Sequence, residues 1–435
     1  MYTISFTLKQ HTPIIHFQHD QEGATLRASE VKPKLDEYLI EKYDLTEVVV
    51  ENGKTLVKPK AGAKKYFINN GKNSLALDYK LAVKGLDPQK CFELTPIIMD
   101  KGLPKRNRQN KILVRKFPVF FGNDGKENIT EIKKGIIQNV QLVLIIKNED
   151  LQKLLKNNIE SFIANTNFGL SQSKGFGSFC TGDFVPNHLF FDLELEEFEY
   201  KTVFNNIETF HKAIRSGLNI KTKQDPKDKS SPLIDKAYYK SLMFQYAKSK
   251  NEQWDKRTMR DHFFADHHKY KKQNGASPNG IIENRQISET VQTNIEKPDD
   301  RNYFNYRDLL GLSTEQNWGY YSKNISKILS DIDRFKSPIT YKPVFQNKKW
   351  RVYLITSIIK TQYLGATTTV QAQGKEDLLL DFPLDFEIND YLKFCVSNFN
   401  IDDFDYSNGF SYATTSEAQI LDNIFIQLKK QIPNA

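Results

Sequence analysis

The chain has 435 residues, longer than one ordinary domain, and its 39% hydrophobic and 12% aromatic content supplies real cores, which excludes a disordered chain. Its net charge of +9 favours a polyanionic partner. Cys91, Cys180 and Cys395 lie far apart, which argues against a disulfide framework or a thiolate zinc site and predicts a reducing, cytoplasmic compartment. The first residues do not form a signal peptide, and no apolar run approaches the roughly 18 residues needed to span a bilayer, so no membrane partner is expected.

Residues 2–9 alternate as a strand, with Tyr2, Ile4, Phe6 and Leu8 on one face. A polar loop follows, and then a helix from Ser29, the expected N-cap, with Pro33 placed in its first turn and Leu35, Tyr38 and Leu39 facing a core. Residues 47–57 read as a hairpin turning at Asn52-Gly53. Strands are expected at 75–84, 117–121 and, as one continuous apolar run, 136–146. A helix from Glu149 carries Leu151, Leu154, Leu155, Ile159 and Phe162 at helical spacing, and a strand is expected over 178–185. This order resembles an elaborated ferredoxin-like βαββαβ unit. Residues 205–275 are helix-rich and polar, and 271–300 read as an exposed loop. Strands 339–345 and 350–359 join across Asn347-Lys348, and an apolar-periodic helix (Ala418, Leu421, Ile424, Phe425, Leu428) closes the chain. The expected class is α+β: a ferredoxin-like (RRM-like) domain over 1–200, a helix-rich polar insertion over 201–300, and a second α+β unit, itself ferredoxin-like, over 301–435.

Between the Glu149 helix and the strand after it lies Gly169-Leu170-Ser171-Gln172-Ser173-Lys174-Gly175-Phe176-Gly177. Glycines allow positive φ and close approach of another molecule, and a loop of this kind with a lysine suits a phosphate backbone; a tight turn is the plain alternative. Residues 101–116 hold seven basic residues and no acid, among them Lys105, Arg106 and Arg108, a candidate clamp for a nucleic-acid backbone. The loop after the first strand offers three chemistries. His16 or His19 could serve as general base on a ribose 2′-OH, Asp20 with Glu22 could hold a divalent metal, or the loop could only hydrogen-bond RNA or a neighbouring subunit. His262 and Asp266 fall at i,i+4 as for a shared ion, but the surrounding lysines and arginines favour a solvated or RNA-facing helix. The motifs of P-loop ATPases, zinc peptidases and α/β-hydrolases are absent.

Three segments together resemble the RAMP superfamily of CRISPR-associated RNA-binding proteins. Leu26 to Leu35 is similar to the family's LRPTEIKGALR entry to the first helix, and Ser173 to Ser178 to its SRRGFGS loop. Asp308-Leu309-Leu310-Gly311-Leu312 with Arg334 to Ile339 is similar to its LLGLP…RRSPL pair. Pro33 stands where the family has a helix glycine, the loop arginines are reduced to Gln172 and Lys174, and the C-terminal half has no second glycine-rich loop. Within the superfamily the chain resembles the type III, Cmr-type effector subunit with two ferredoxin-like domains.

The resemblance implies a guide-RNA-binding, non-catalytic subunit, with target RNA and other RAMP subunits as further partners. Gly169, Ser171, Ser173, Lys174, Gly175 and Gly177 would line the RNA backbone, Arg27, Lys32 and Lys34 would supply phosphate contacts, and Lys105, Arg106 and Arg108 would clamp guide or target. No cofactor is implied for binding. A RAMP endoribonuclease is the alternative, either cutting target with Asp20 and Mg2+ or processing guide without metal through His16 or His19. A basic scaffold without RNA is the third reading.

Overall fold

Alternation decides the first strand, Tyr2–Gln10: Leu8 and Gln10 are buried while Thr3, Ser5, Thr7 and Lys9 face solvent. The computed structural model describes residues 1–15, 25–51, 53–72, 74–93, 99–100, 103–113, 134–182, 186–223, 234–274, 304–312, 315–318, 323–329, 336–404 and 415–432. His16, His19, Asp20, Glu22, Asn52, Arg115, Lys116 and the strand expected at 117–121 lie outside the described residues. The class is α+β with antiparallel sheets.

The chain forms two compact units that are not consecutive spans. The first comprises 1–210, 339–356 and 423–433, and the second 211–338, 357–422 and 434–435. The sequence reading divided the chain into three contiguous stretches instead, and it could not detect that the 339–356 hairpin packs with residues far upstream.

In the first unit, strand 2–10 leads to helix α1 (Ala28–Lys42), strands Tyr79–Gly85 and Val140–Ile146, helix α2 (Glu149–Ala164) and the short strand Phe179–Cys180. The four strands stand in the order fourth, first, third, second, all antiparallel. Val31, Leu35 and Leu39 of α1 and Leu151, Leu155, Ile159 and Phe162 of α2 share a core with Leu142, Leu144 and Ile146 of the sheet. Asn148 caps α2, its Oδ1 accepting from Leu151 N at 3.0 Å.

Several local expectations shift. α1 starts at Ala28 with Arg27 as its N-cap, not Ser29, so Pro33 sits in the second turn, where the Ser29 carbonyl lacks its helical donor. Ser29 is exposed, so water can serve that carbonyl. The run at 136–146 breaks at Gln138-Asn139 into Lys134–Ile137 and Val140–Ile146, because the first piece pairs with Lys90–Glu93 instead of the main sheet. The hairpin Thr46–Glu51/Lys54–Pro59 forms as expected.

A three-stranded sheet completes this unit. Leu189–Leu193 pairs with Lys349–Thr356, which pairs with Ile339–Gln346 through a turn whose Asn347 and Lys348 have φ of 51° and 61°, the type I′ signature. Phe210, on helix α3 (Tyr200–Arg215), lies against Phe191, Tyr341 and Phe425. The outer edge of Leu189–Leu193 is covered by the C-terminal helix, Ser416–Lys429, and the turn after it. Gln427 accepts from Asp192 N (2.7 Å) and donates to Asp192 O (3.0 Å), and Gln431 does the same for Phe190 (3.1 and 2.6 Å). The spacing matches because four helical residues rise about 6 Å and two strand residues about 6.8 Å. Two side chains thus stand in for a neighbouring strand.

In the second unit, the hairpin Leu218–Lys223/Ile234–Tyr239 precedes helices α4 (Leu242–Ser249) and α5 (Asp255–Asn274). Strands 315–318, 323–329, 367–372 and 378–381 form an antiparallel sheet in consecutive order. A second βαββαβ sheet was expected in this half; the described residues hold a meander instead. Below it lies an ion network. Asp308 pairs with Lys327 and with Arg215 (3.3 Å), and Arg307 pairs with Asp255 (3.2 Å). Charges at Asp308, the cations around it outweighing its burial, hold the carboxyl down at about 2.

Replacing both Gln427 and Gln431 by Ala is expected to leave the 190–192 edge open. The expected loss is about 2–4 kcal/mol of stability in urea titration, with concentration-dependent light scattering. An unchanged midpoint would show that the four bonds contribute nothing.

Candidate nucleic-acid interface

The glycine-rich segment begins at the C-terminal end of α2. Its crest, Leu170 to Lys174, is half-buried; Ser171 is left-handed (φ 54°), and Gln172–Lys174 form one 3-10 turn closed by Gly175 at φ 98°. Residues 175–180 turn inward and are buried. A Cβ on Gly177 would lie 1.9 Å from Phe168 O, one on Gly169 2.7 Å from Ile15 O, and one on Gly175 2.9 Å from the Pro343 ring. This corrects the sequence reading of Gly175 and Gly177. The molecule that approaches them closely is the chain itself, and neither lines an outer surface.

The segment is stitched to the end of the first strand. Gly177 N donates to Pro13 O (2.9 Å), Ser178 N to Thr12 Oγ1 (2.9 Å), and Thr12 Oγ1 to Gly175 O (2.6 Å). Asn167 Nδ2 donates to Gln172 O and Tyr341 O, each at 2.8 Å. Beneath lies Lys342, fully buried, whose Nζ donates to Ile163 O (2.7 Å) and Thr166 O (2.8 Å) at the open end of α2. Burial pulls its ammonium down to about 8. His11 is buried close by, its Nδ1 accepting from Phe345 N at 3.1 Å. Burial, with Lys9 and Lys342 adding repulsion, lowers its imidazole to about 3.

The predicted phosphate contacts divide. Arg27 is exposed at the start of α1. Lys32 Nζ instead donates to Asp36 (2.7 Å) and Leu77 O (2.9 Å) and lies over the Tyr79 ring. Lys34 Nζ donates to Glu30 (2.8 Å), Gln172 Oε1 (2.9 Å) and Asn167 O (3.3 Å). Both lysines are engaged inside the fold, so their expected role as free phosphate contacts is corrected to positioning of α1 and the crest. Glu30 Oε1 also accepts from Gly169 N at 2.6 Å.

Lys105, Arg106 and Arg108 are exposed on a tight turn. Asn107 Oδ1 accepts from Gln109 N and Lys111 N at 2.9 Å, and Arg106 reaches Asn110 O at 2.7 Å. His262 Nε2 lies 2.9 Å from Glu376 O; the Asp266 side chain lies outside the described ones. Among the described residues no group of three His, Cys, Asp or Glu could hold a metal, and no helix is long and apolar enough to cross a membrane.

Sequence reasoning missed His11, Thr12, Asn167 and Lys342. The polar run Gln10-His11-Thr12, which interrupts the alternation of the first strand just before a buried Ile14-Ile15, was the one available signal. Lys342 stands among strand residues like any exposed lysine.

The family model described as the Cmr1 N-terminal domain matches residues 1–218, and that of the Cmr1 C-terminal domain matches 238–415. The chain belongs to the Cmr1 family. Membership bears out the resemblance to RAMP proteins of the type III, Cmr-type branch. Two solved structures are similar. One is the cryo-EM structure of the Type III-B Cmr-beta bound to cognate target RNA, at 13% identity over 41% of this chain and 58% of that one, TM-score 0.26. The other is the crystal structure of apo Cmr1 from Pyrococcus furiosus, at 12% identity over 91% and 97%, TM-score 0.31. The chain thus spans just over half the length of the first. No curated protein matches it in sequence. The family boundary and the compact units differ: Lys342, within the Cmr1 C-terminal match, closes a helix of the N-terminal match.

His11 sets a pH dependence. Its folded pKa of about 3 lies below the unfolded value of 6.5, so the unfolded chain takes up the proton first as pH falls. Its contribution is complete above pH 6.5 and is lost between about 6.5 and 3. Urea midpoints of the wild type should fall more steeply from pH 7 to 5 than those of His11→Gln, by up to about 1.4 kcal/mol per pH unit. Parallel curves would mean that His11 titrates normally.

Proposed function

We propose that this Cmr1-family chain is a guide-RNA-binding subunit of a type III RNA-guided effector complex, and that it holds RNA without cutting it. The observation that carries the reading is the pair of family matches, which together take in residues 1–218 and 238–415. One similar structure, the Type III-B Cmr-beta, is bound to cognate target RNA, in keeping with such a role. The strand order fourth, first, third, second on a βαββαβ chain supports reading the first unit as ferredoxin-like. Target RNA and neighbouring RAMP subunits are the further partners, and the scattered free cysteines support a cytoplasmic setting.

On this reading the crest, through Gly169, Ser171, Ser173 and Lys174, meets the RNA backbone beside Arg27. Lys32 and Lys34 hold that surface in shape from beneath. Lys105, Arg106 and Arg108 make a second, independent phosphate contact. Contacts of this kind are shape-led and salt-sensitive.

Fluorescence anisotropy with a repeat-derived RNA at low salt tests the crest. Lys174→Glu should at least double Kd, and an unchanged Kd removes the crest from the RNA surface. Replacing Lys105, Arg106 and Arg108 together by Ala should flatten the slope of log K against log salt by about 2.

End-labelled RNA incubated with the protein and Mg2+ should stay intact. Cleavage lost on chelation and in Asp20→Ala would instead identify a metal-dependent endoribonuclease. EDTA-resistant cleavage lost in His16→Ala or His19→Ala would identify a processing enzyme. Protein purified from its native host without any nucleic acid at low salt would favour the scaffold reading.

A further inference from the structure

The junction of α4 and α5 in the second unit gathers cations around an aromatic ring. Lys240, just before the Ser241 cap of α4, places its Nζ 5.3 Å from the centre of the Phe244 ring. Phe244 is only partly covered and stands edge-on to the buried Trp254 at 6.1 Å. Lys248, one helical turn (about 6 Å) beyond Phe244 on the same face, is exposed. Arg257 follows Trp254 on the first turns of α5.

These cations outnumber their counter-ions. Asp261 is shared by Arg257 (3.6 Å) and Arg260 (2.8 Å), while among the described residues neither Lys240 nor Lys248 has a carboxylate partner. Of the other nearby acids Asp255 is paired with Arg307, while Glu252 and Asp403 are hydrogen-bonded to neutral partners, Tyr306 and Gln245, and keep their charge. Burial lowers the pKa of Lys240, and Lys248 and Arg257 lower it further, so the three cations feel one another. Two lysines without a carboxylate partner, beside an arginine that shares one, suit a polyanion. The ring among them narrows the class, since single-stranded nucleic acid offers phosphates at the spacing of side chains and bases with π-faces.

We propose that Lys240, Phe244, Lys248 and Arg257 form a second binding surface for single-stranded RNA, separate from the crest and basic turn of the first unit. Lys240, Lys248 and Arg257 contact phosphates, and Phe244 takes a base against its open face. The surface reads no sequence, because every base can stack. This rests on the RNA-binding reading above and extends it to residues that reading does not use.

The test is anisotropy of a fluorescent 20-nucleotide oligouridylate on the full chain at several salt concentrations. Alanine at Lys240, Lys248 and Arg257 together should weaken binding about tenfold or more and flatten the salt slope by about 2, with an unchanged melting temperature. Phe244→Leu should weaken oligouridylate at least fivefold and leave binding to polyphosphate, which has no bases, unchanged. If Lys174→Glu weakens RNA binding while the triple variant equals the wild type, this surface is excluded and the first-unit reading stands. If Phe244→Leu weakens polyphosphate as much as oligouridylate, the ring is structural and the stacking role falls. A wild type that binds no oligouridylate overturns both readings.

Discussion

A lysine with no exposed surface has to find acceptors, and the first unit is organised around the place where Lys342 finds them. Its ammonium closes the free carbonyl end of α2 from a strand 179 residues away in sequence. With that end satisfied, α2 can stop at Ala164 and the chain can turn at once into Asn167, Phe168 and the glycine segment. His11, Thr12 and Asn167 fill the remaining polar positions around it. The neighbouring histidine stays neutral chiefly because it is buried, with Lys9 and then Lys342 adding repulsion. The shape of the crest is therefore a consequence of how one buried charge is hydrogen-bonded.

The second unit solves a similar problem differently. Asp308, Lys327, Arg307, Asp255 and Arg215 bring opposite charges together under a meander sheet, where the first unit sets a lone cation against a helix dipole. Networks of this kind add little net stability over an apolar core but tolerate poorly the loss of any member. Here the network also fixes the turn of the Asp308 to Leu312 segment, since Arg215 holds both Asp308 and Gly311 O. Gly311 is held at φ 116°, a conformation that favours glycine, and the backbone of Ser337 lies beside it. The two halves of the late sequence pair thus meet in space.

Where the sequence was legible, a local rule was enough. Period-two alternation marked Tyr2–Gln10, apolar spacing marked α2, and Asn347-Lys348 marked the late hairpin. Glycines at 169, 175 and 177 rightly signalled close approach, but spacing alone could not say whether the approaching backbone belonged to a ligand or to the chain. Lys32 and Lys34 each have one acceptor at helical spacing, Asp36 and Glu30, which the phosphate reading passed over, and others, Leu77 O and Gln172, that are distant in sequence. The break at Gln138-Asn139 was hidden because both flanking pieces are apolar and only their partners differ. Non-local pairing, which leaves no periodic trace, accounts for the discontinuous first unit as well.

The pair of glutamines on the sheet edge has a consequence for how the protein is made. Phe190 and Gln431 are 241 residues apart, and the hairpin that carries Lys342 also leaves the ribosome long after the strands and helices it completes. A nascent chain that has released residues 1–210 holds an uncapped helix end and a bare strand. The usual course, in which an amino-terminal domain folds while the rest is still being synthesised, leaves this one incomplete. Its first unit matures only once translation has passed the C-terminal helix, and until then the unpaired edge at Phe190 to Asp192 is open to whatever strand or chaperone meets it.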